Sequence, residues 1–319
     1  MEPLRIVYFG TPDFAVEGLR RLLDAGYDIA AVVTAPDKPA GRGRKLSASP
    51  VKKFALAHNL TVLQPHNLKD NSFLDTLRSF QANLFIVVAF RMLPEAVWNM
   101  PRYGTFNLHA SLLPQYRGAA PINWAIINGE TETGVTTFFI NHQIDTGHII
   151  LQKKTSISDI DTAGTLHDKL MYLGGDLILE TVQRIETTNG QVETIPQPES
   201  GPLKPAPKIF KSDCKINWQQ PAQAIFNFVR GLSPYPAAWT VFSINGQPVE
   251  CKIFAVGKEP LPETMANGTI VCDGKTYLKI AVPDGLISIL ELQPQSKKRM
   301  PVKAFLNGLQ KNAVIKKDA

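Results

Sequence analysis

Asn107, His109 and Asp145 are the residues of this chain whose types and spacing could do chemistry together. Asn107 and His109 stand two apart at the end of the strand-like run 105–109, and a side-chain period of two sends both to one face. Asp145 lies in Asn141-His-Gln-Ile-Asp-Thr-Gly147, a polar connection between two further strand-like runs that is expected to return near the same sheet edge. An amide can donate to a developing oxyanion, an imidazole can donate to it or move a proton, and a carboxylate can orient and charge-stabilise the imidazole. The set suits acyl-type transfer through a tetrahedral intermediate. Taken singly each residue has a plainer reading: a turn former ending a strand, a satisfied histidine, a turn carboxylate. The combination is what points to catalysis.

The kit lacks a nucleophile. No Gly-x-Ser-x-Gly elbow is present and no cysteine lies near His109, so the attacking group must come from a substrate. A metal is not expected, because His58, His66, His109, His142, His148 and His167 lack ligand spacing such as HExxH. Cys214, Cys251 and Cys272 are far apart, odd in number and without a CxxC pair, which fits a reducing compartment better than a disulfide framework. The N-terminal residues pass straight into a strand-like run, and no apolar stretch reaches the roughly 18 residues needed to cross a bilayer. The expectation is a cytoplasmic protein with no membrane association.

The elements around the kit alternate. Strand-like runs at 5–9, 29–34, 61–63, 84–90 and 105–109 are separated by amphipathic segments at 15–25, from Ser49-Pro50 onward, at 73–80 and at 94–99. Such alternation predicts an α/β domain on a parallel sheet, with the unbroken apolar run 84–90 as a central strand buried on both faces. In open α/β sheets ligands bind outside the carboxyl ends of strands, where Asn107 and His109 are placed. A helix from Pro121, strands at 135–140 and 148–155, and a long helix at 162–187 follow. The five prolines at 196, 198, 202, 205 and 207 suit neither helix nor central strand, so 195–211 reads as an extended linker between domains at 1–194 and 212–319. The second domain, with a helix at 221–232 and short runs broken by Asn245-Gly246, Asn267-Gly268 and Asp273-Gly274, reads as a small OB-like β-barrel of roughly five strands.

Composition is ordinary for a globular chain of 319 residues, 44% hydrophobic and 19% charged, which excludes a disordered or collagen-like protein. The charge of +6 is uneven. Residues 1–200 hold 18 Lys+Arg against 20 Asp+Glu, net −2, while residues 201–319 hold 16 against 8, net +8. A basic second unit beside a near-neutral first is what a protein needs if one grips a polyanion while the other does chemistry. On charge alone a merely soluble basic domain fits as well.

The stretches Asn107-Leu-His-Ala-Ser-Leu-Leu-Pro114, Tyr116-Arg-Gly-Ala-Ala-Pro-Ile122 and Asp145-Thr-Gly147 together resemble the signature of the formyltransferases that use 10-formyltetrahydrofolate. That signature names the chemistry better than the acceptor. Phe9-Gly-Thr-Pro-Asp-Phe14, the loop Ala35-Pro-Asp-Lys-Pro-Ala-Gly-Arg-Gly-Arg-Lys-Leu46, Ser49-Pro-Val-Lys52, Ile216-Asn-Trp218 and Pro234-Tyr-Pro-Ala237 resemble the branch of that family that acts on methionyl-tRNA. The resemblance runs along nearly the whole chain. It implies a Rossmann-like catalytic domain followed by an OB-like tRNA-binding domain, with initiator methionyl-tRNA and folate as partners. A monomer is expected.

The resemblance also assigns residues. Ser111, Leu112, Leu113 and Pro114 are implied in folate binding, and Ala89 and Phe90 border the pterin pocket. One departure is that the family often reads Ala-Tyr-Gly where this chain has Ala89-Phe90-Arg91, so a phenolic hydroxyl and a flexible glycine are missing. The basic loop with Arg42, Arg44 and Lys45 is implied to enter the acceptor arm of the tRNA. Its glycines let backbone approach a phosphate while guanidinium groups contact phosphates or stack on unpaired bases. Lys208 and Lys211 are candidates for phosphate contacts, which position a polyanion without reading its sequence. In the implied reaction the α-amino group of methionine attacks the formyl carbon. Asn107 and protonated His109 stabilise the oxyanion, and Asp145 holds His109 charged and oriented. Two alternatives stay open: a formyltransferase of nucleotide-carried amino sugars, which shares the signature, and a binding module without catalysis.

Overall fold

The computed structural model describes residues 3–40, 45–198, 201–261, 265–309 and 315–317. Two compact units divide the chain: Met1–Gly118, Glu132–Ser156 and His167–Pro205 form the first, and Ala119–Thr131, Ile157–Leu166 and Ala206–Ala319 the second. The elements in chain order are β1 (Arg5–Gly10), α1 (Phe14–Asp24), β2 (Asp28–Val33), β3 (Lys38–Ala40), β4 (Lys45–Ser47), α2 (Pro50–Ala57), β5 (Val62–Leu63), α3 (Asn71–Ser79), β6 (Leu84–Val88), α4 (Glu95–Trp98) and β7 (Thr105–His109). Then come α5 (Pro121–Ile127), β8 (Glu132–Phe139), β9 (Ile149–Ser156), α6 (Ala163–Thr187), α7 (Ala222–Leu232), β10 (Ala238–Ile244), β11 (Gln247–Glu259), β12 (Ile270–Cys272), β13 (Leu278–Val282), β14 (Gly285–Pro294), β15 (Met300–Pro301), α8 (Val302–Asn307) and β16 (Ile315–Lys317).

The first unit carries a Rossmann-like sheet in the order β5-β2-β1-β6-β7-β8-β9. Its first five strands are parallel, as the alternation predicts, and all five residues of β6 are buried. The parallel sheet is extended at the other edge by two strands of opposite sense, where β7–β8 and β8–β9 pair antiparallel. A parallel pair needs a crossover of a dozen or more residues. The nine residues 140–148 between β8 and β9 are too few, and α5 belongs to the second unit, so neither connection forms a crossover on this sheet.

Local chemistry starts the helices where the sequence places them. Ser49 caps α2 by accepting from the Lys52 N–H at 3.0 Å, with Pro50 at the first helical position. Such a cap contributes about 1 kcal/mol. In β7 the residue between the two candidates, Leu108, faces the other way by strand alternation. Gly174 of α6 lies against it so closely that a Cβ would come 2.6 Å from Leu108 Cδ2. Helix α6 therefore backs the strand directly behind Asn107 and His109.

The second unit has a seven-stranded antiparallel sheet, ordered β12-β13-β14-β11-β10-β16 with β15 pairing β14. Among the described residues its end strands β12 and β16 lie against each other without pairing, so the small OB-like barrel takes the form of a seven-stranded antiparallel half-barrel sheet. Trp218, Ile225 and Val229 bury against Phe242, Ile253 and Ile287. Asn245-Gly246 makes the β10–β11 hairpin with both φ angles positive, 53° and 80°, the geometry of a type I′ turn. Asp273-Gly274 joins the paired β12 and β13. Asn267-Gly268 joins no hairpin, because β11 and β12 are not neighbours in the sheet.

Candidate active site

His109 is buried, 6% exposed, and its Nε2 donates to the Tyr116 carbonyl at 2.8 Å. A carbonyl can only accept, so Nε2 carries a proton. Nδ1 lies 3.7 Å from Asp145 Oδ2, close enough for charge compensation but beyond a hydrogen bond. The Asn107 amide is half-buried on the same strand and makes no hydrogen bond to protein among the described residues. One ring nitrogen and one amide are thus without a hydrogen bond, two residues apart on one strand face.

Asp145 reaches this face by an indirect route. The register pairs Phe106 with Phe139 and His109 with Thr136, and the Ile140 N–H donates to the Thr105 carbonyl at 2.8 Å. The connection 140–148 therefore leaves β8 beside the start of β7, not at the carboxyl edge that the sequence suggests, and lies over the strand to bring its carboxylate to His109. Gly147 permits this: a Cβ there would sit 1.6 Å from the Phe139 carbonyl oxygen. Asp145 holds φ at 55°, a left-handed conformation costing a non-glycine residue about 1–3 kcal/mol. Its Oδ2 also accepts the Gly118 N–H at 2.9 Å.

Three consecutive residues close around the site. Tyr116 offers its carbonyl to His109, Gly118 its N–H to Asp145, and Arg117 donates to Gln197 Oε1 through Nε at 3.1 Å and Nη2 at 2.8 Å. Gln197 carries no motif in the sequence, and its proline-rich surroundings read as linker. The segment is docked instead: Ile149 and Ile195 exchange backbone hydrogen bonds of 2.8 Å, and residues through Pro205 belong to the first unit. The available signal was a lone amide set among prolines.

The residues assigned to folate divide in two. Ser111 is fully buried, its Oγ donates to the Gln115 carbonyl at 2.6 Å, and Leu113 is buried with Phe138 and Ile149. Neither side chain faces solvent, whereas Leu112 and Pro114 are half-buried. Thr136 and Gln152, also unnoticed in the sequence, hold this loop: Thr136 Oγ1 donates to the Ser111 carbonyl at 2.7 Å, and Gln152 Nε2 to the Leu113 carbonyl at 2.9 Å. Ala89, exposed at the end of β6, holds φ at 47°. Phe90 packs edge-on against Phe9 at 5.7 Å. Arg91, where the family often has glycine, donates to the His66 carbonyl at 2.7 Å and to the Pro65 carbonyl, tying the loops after β5 and β6 together.

The basic candidates lie elsewhere. Arg42 and Arg44 are outside the described residues, as is the side chain of Lys45, whose backbone belongs to the β3–β4 hairpin. The approach to that hairpin is fixed by Asp37, which accepts from Lys52 Nζ at 2.7 Å and Gln64 Nε2 at 2.8 Å. Lys52, then Gln64, hold the Asp37 carboxyl below its ordinary value. In the second unit Lys208 is exposed over the Phe210 ring at 5.3 Å and makes no ion pair among the described residues. Lys211 is paired with Glu250 at 2.9 Å.

Among the described residues no helix is long and apolar enough to cross a membrane, and no group of three or more His, Cys, Asp or Glu could hold a metal ion. A mixed Rossmann-like sheet with an amide, an imidazole and a carboxylate on its β7 face, followed by a half-barrel unit, defines a class. The family model described as Formyl transferase matches residues 4–182, and that described as Formyl transferase, C-terminal domain, matches 208–310. This chain belongs to the formyl transferase family. It is 56% identical to a protein named methionyl-tRNA formyltransferase from Bacteroides fragilis, covering 100% of this chain and 99% of that one. A protein of the same name from Bacteroides thetaiotaomicron is 58% identical, with 96% of each covered. Among solved structures, the sugar 3N-formyl transferase WlaRD, determined in the presence of dTDP and 5-N-formyl-THF, shares the fold at a TM-score of 0.66 and 22% identity. It covers 93% of this chain and 100% of its own. HypX from Aquifex aeolicus in complex with tetrahydrofolic acid aligns at 0.63 and 16%, covering 100% of this chain and 51% of its own.

Proposed function

We propose that this protein transfers the formyl group of 10-formyltetrahydrofolate to the α-amino group of methionine on initiator methionyl-tRNA, as a monomer in the cytoplasm. The observation that carries the reading is identity of 56–58% along nearly the whole chain to proteins named methionyl-tRNA formyltransferase, with Asn107 and His109 on one strand face and Asp145 beside His109. The unprotonated amine attacks the formyl carbon, and the carbonyl π pair moves onto oxygen. Asn107 Nδ2 donates to that oxyanion. Because Nε2 is committed to Tyr116, the remaining ring donor is Nδ1–H, so His109 acts with both nitrogens protonated and Asp145 compensates the charge. Asp145 takes the proton that the amine loses. Collapse re-forms the carbonyl and breaks the bond to N10, which takes up the proton held by Asp145 and leaves as tetrahydrofolate, returning Asp145 to its carboxylate form.

Folate is held between the Leu112–Pro114 loop and the β6 end, where the backbone of Ala89 and Phe90 meets the pterin edge. The residues present fit such a group: the loop is pinned from behind by Thr136 and Gln152, and Ala89 turns the backbone outward. Arg42, Arg44, Lys45 and Lys208 contact tRNA, with Lys211 available only after it leaves Glu250. The test is release of tetrahydrofolate with methionyl initiator tRNA, methionyl elongator tRNA or a nucleotide-linked amino sugar as acceptor. Turnover with the initiator alone is expected. Turnover with the sugar would retain the chemistry and overturn the acceptor, and no turnover with any acceptor would leave a binding module.

A further inference from the structure

We propose that Gln197 is a positioning residue for formyl transfer, acting through Asp145 and itself aimed by Arg117. The proposal rests on the part given above to Asp145. Gln197 Nε2 donates to two carbonyls of the catalytic turn, Asp145 O at 3.0 Å and Gly147 O at 2.7 Å. A single amide thus fixes both sides of the turn, and both carbonyls must point the same way to share it.

The turn needs such a fixture for reasons visible in the fold. It starts at the wrong end of β7, beside Thr105, and must stay laid over the strand to keep its carboxylate opposite His109. Asp145 is in a left-handed conformation, which an unrestrained aspartate leaves readily. Gln197 is 9% exposed and the Gly147 carbonyl is buried, so without the donor that oxygen has no compensating water. Arg117 settles which way round the amide lies. Its guanidinium gives two hydrogen bonds to Oε1 and a third to the Pro198 carbonyl at 3.3 Å, and because arginine only donates, the NH2 end must face the turn. The flanking Tyr116 and Gly118 touch His109 and Asp145 directly. One three-residue segment thereby sets the imidazole, the carboxylate and the backbone beneath it.

The experiment is single-turnover formyl transfer to methionyl initiator tRNA by Q197A, D145A and the double variant. Both KM values and the melting temperature are followed in parallel. A catalytic group displaced by about 1 Å loses on the order of 10²-fold in rate. Q197A is expected to lose up to that in kcat with KM for tRNA and folate near the native values. It should add nothing once Asp145 is already alanine, because coupled residues are non-additive. Multiplying losses in the double variant, or a folded Q197A with native kcat, overturns the proposal. If Q197A does not fold, Gln197→Glu keeps the acceptor for Arg117 and removes the donor, and the same comparison is made with it. Arg117→Lys should retain more activity than Arg117→Ala; equal losses would remove Arg117 from the chain of support. A native protein inactive on this tRNA would instead sink the acceptor reading, and an active D145A would sink the role of Asp145.

Discussion

The β7 site and the basic surface of the second unit hold their polar groups in opposite ways. Around His109 almost every donor and acceptor has a buried protein partner within one closed circuit: Tyr116 to His109, Gly118 to Asp145, Arg117 to Gln197, Gln197 back to the Asp145 turn. Around Lys208 and Lys211 the groups are exposed, Lys208 over the Phe210 ring and Lys211 against Glu250 and the Trp239 ring, with no shared network joining them. Removing one member of a buried circuit strands its partner, whereas removing one surface charge subtracts a single contact. On the proposed reading, chemistry should therefore depend steeply on single atoms, and a hold on a polyanion should be graded.

The largest expected effect lies in the circuit. Asn107→Ala removes an amide that makes no hydrogen bond to protein among the described residues, and turnover should fall about 10²- to 10³-fold, the usual consequence of losing an oxyanion donor. A loss below tenfold in a rapid-quench assay would move the oxyanion elsewhere. On the graded side, Arg42→Ala should weaken productive tRNA engagement and lower the slope of log K against log salt by about 1. Unchanged kinetics across a salt series would take Arg42 out of the interface.

Lys208 and Lys211 sharpen the contrast further. Lys208→Ala should lower the salt slope more than Lys211→Ala, because Lys211 is already neutralised by Glu250, and Glu250→Gln should bring Lys211 up to the effect of Lys208. Equal slopes for the two lysine variants would show that the ion pair opens on binding. The smallest effect concerns Asp37 at the hairpin base. Its carboxyl is held below the ordinary value by Lys52 and then Gln64, so the stability it contributes is present above the unfolded-state pKa and is lost as pH falls through the folded value. Lys52→Met should return the Asp37 titration, followed by NMR, toward the ordinary value.

Residue types were more legible than connections. Apolar runs gave β1, β2 and β6 within a residue or two, because buried strands leave a nearly unbroken apolar mark, and β7 is marked instead by its alternation of Phe106 and Leu108 with Asn107 and His109. The antiparallel direction of β8 and β9 was not readable, since a strand's composition does not state its direction. Asn107 and His109 could be paired by a period of two, and Asp145 by motif. Gln197 could not, because its role depends on a segment 50 residues beyond Gly147 docking back onto the turn. Prolines that forbid regular structure look the same in a linker and in an extended strap. Ser111 is implied in folate binding by resemblance alone, and a motif does not state that its hydroxyl closes its own turn on Gln115.

The most direct test of this separation is Asp145→Asn, an isosteric change inside the circuit, with the single-turnover rate of formyl transfer and the tRNA dissociation constant measured on the same preparation. The account predicts a rate lower by at least about 10²-fold, the scale of lost electrostatic stabilisation, at an unchanged dissociation constant. A weakened tRNA complex with a native rate at saturation would contradict it and place Asp145 among the binding residues.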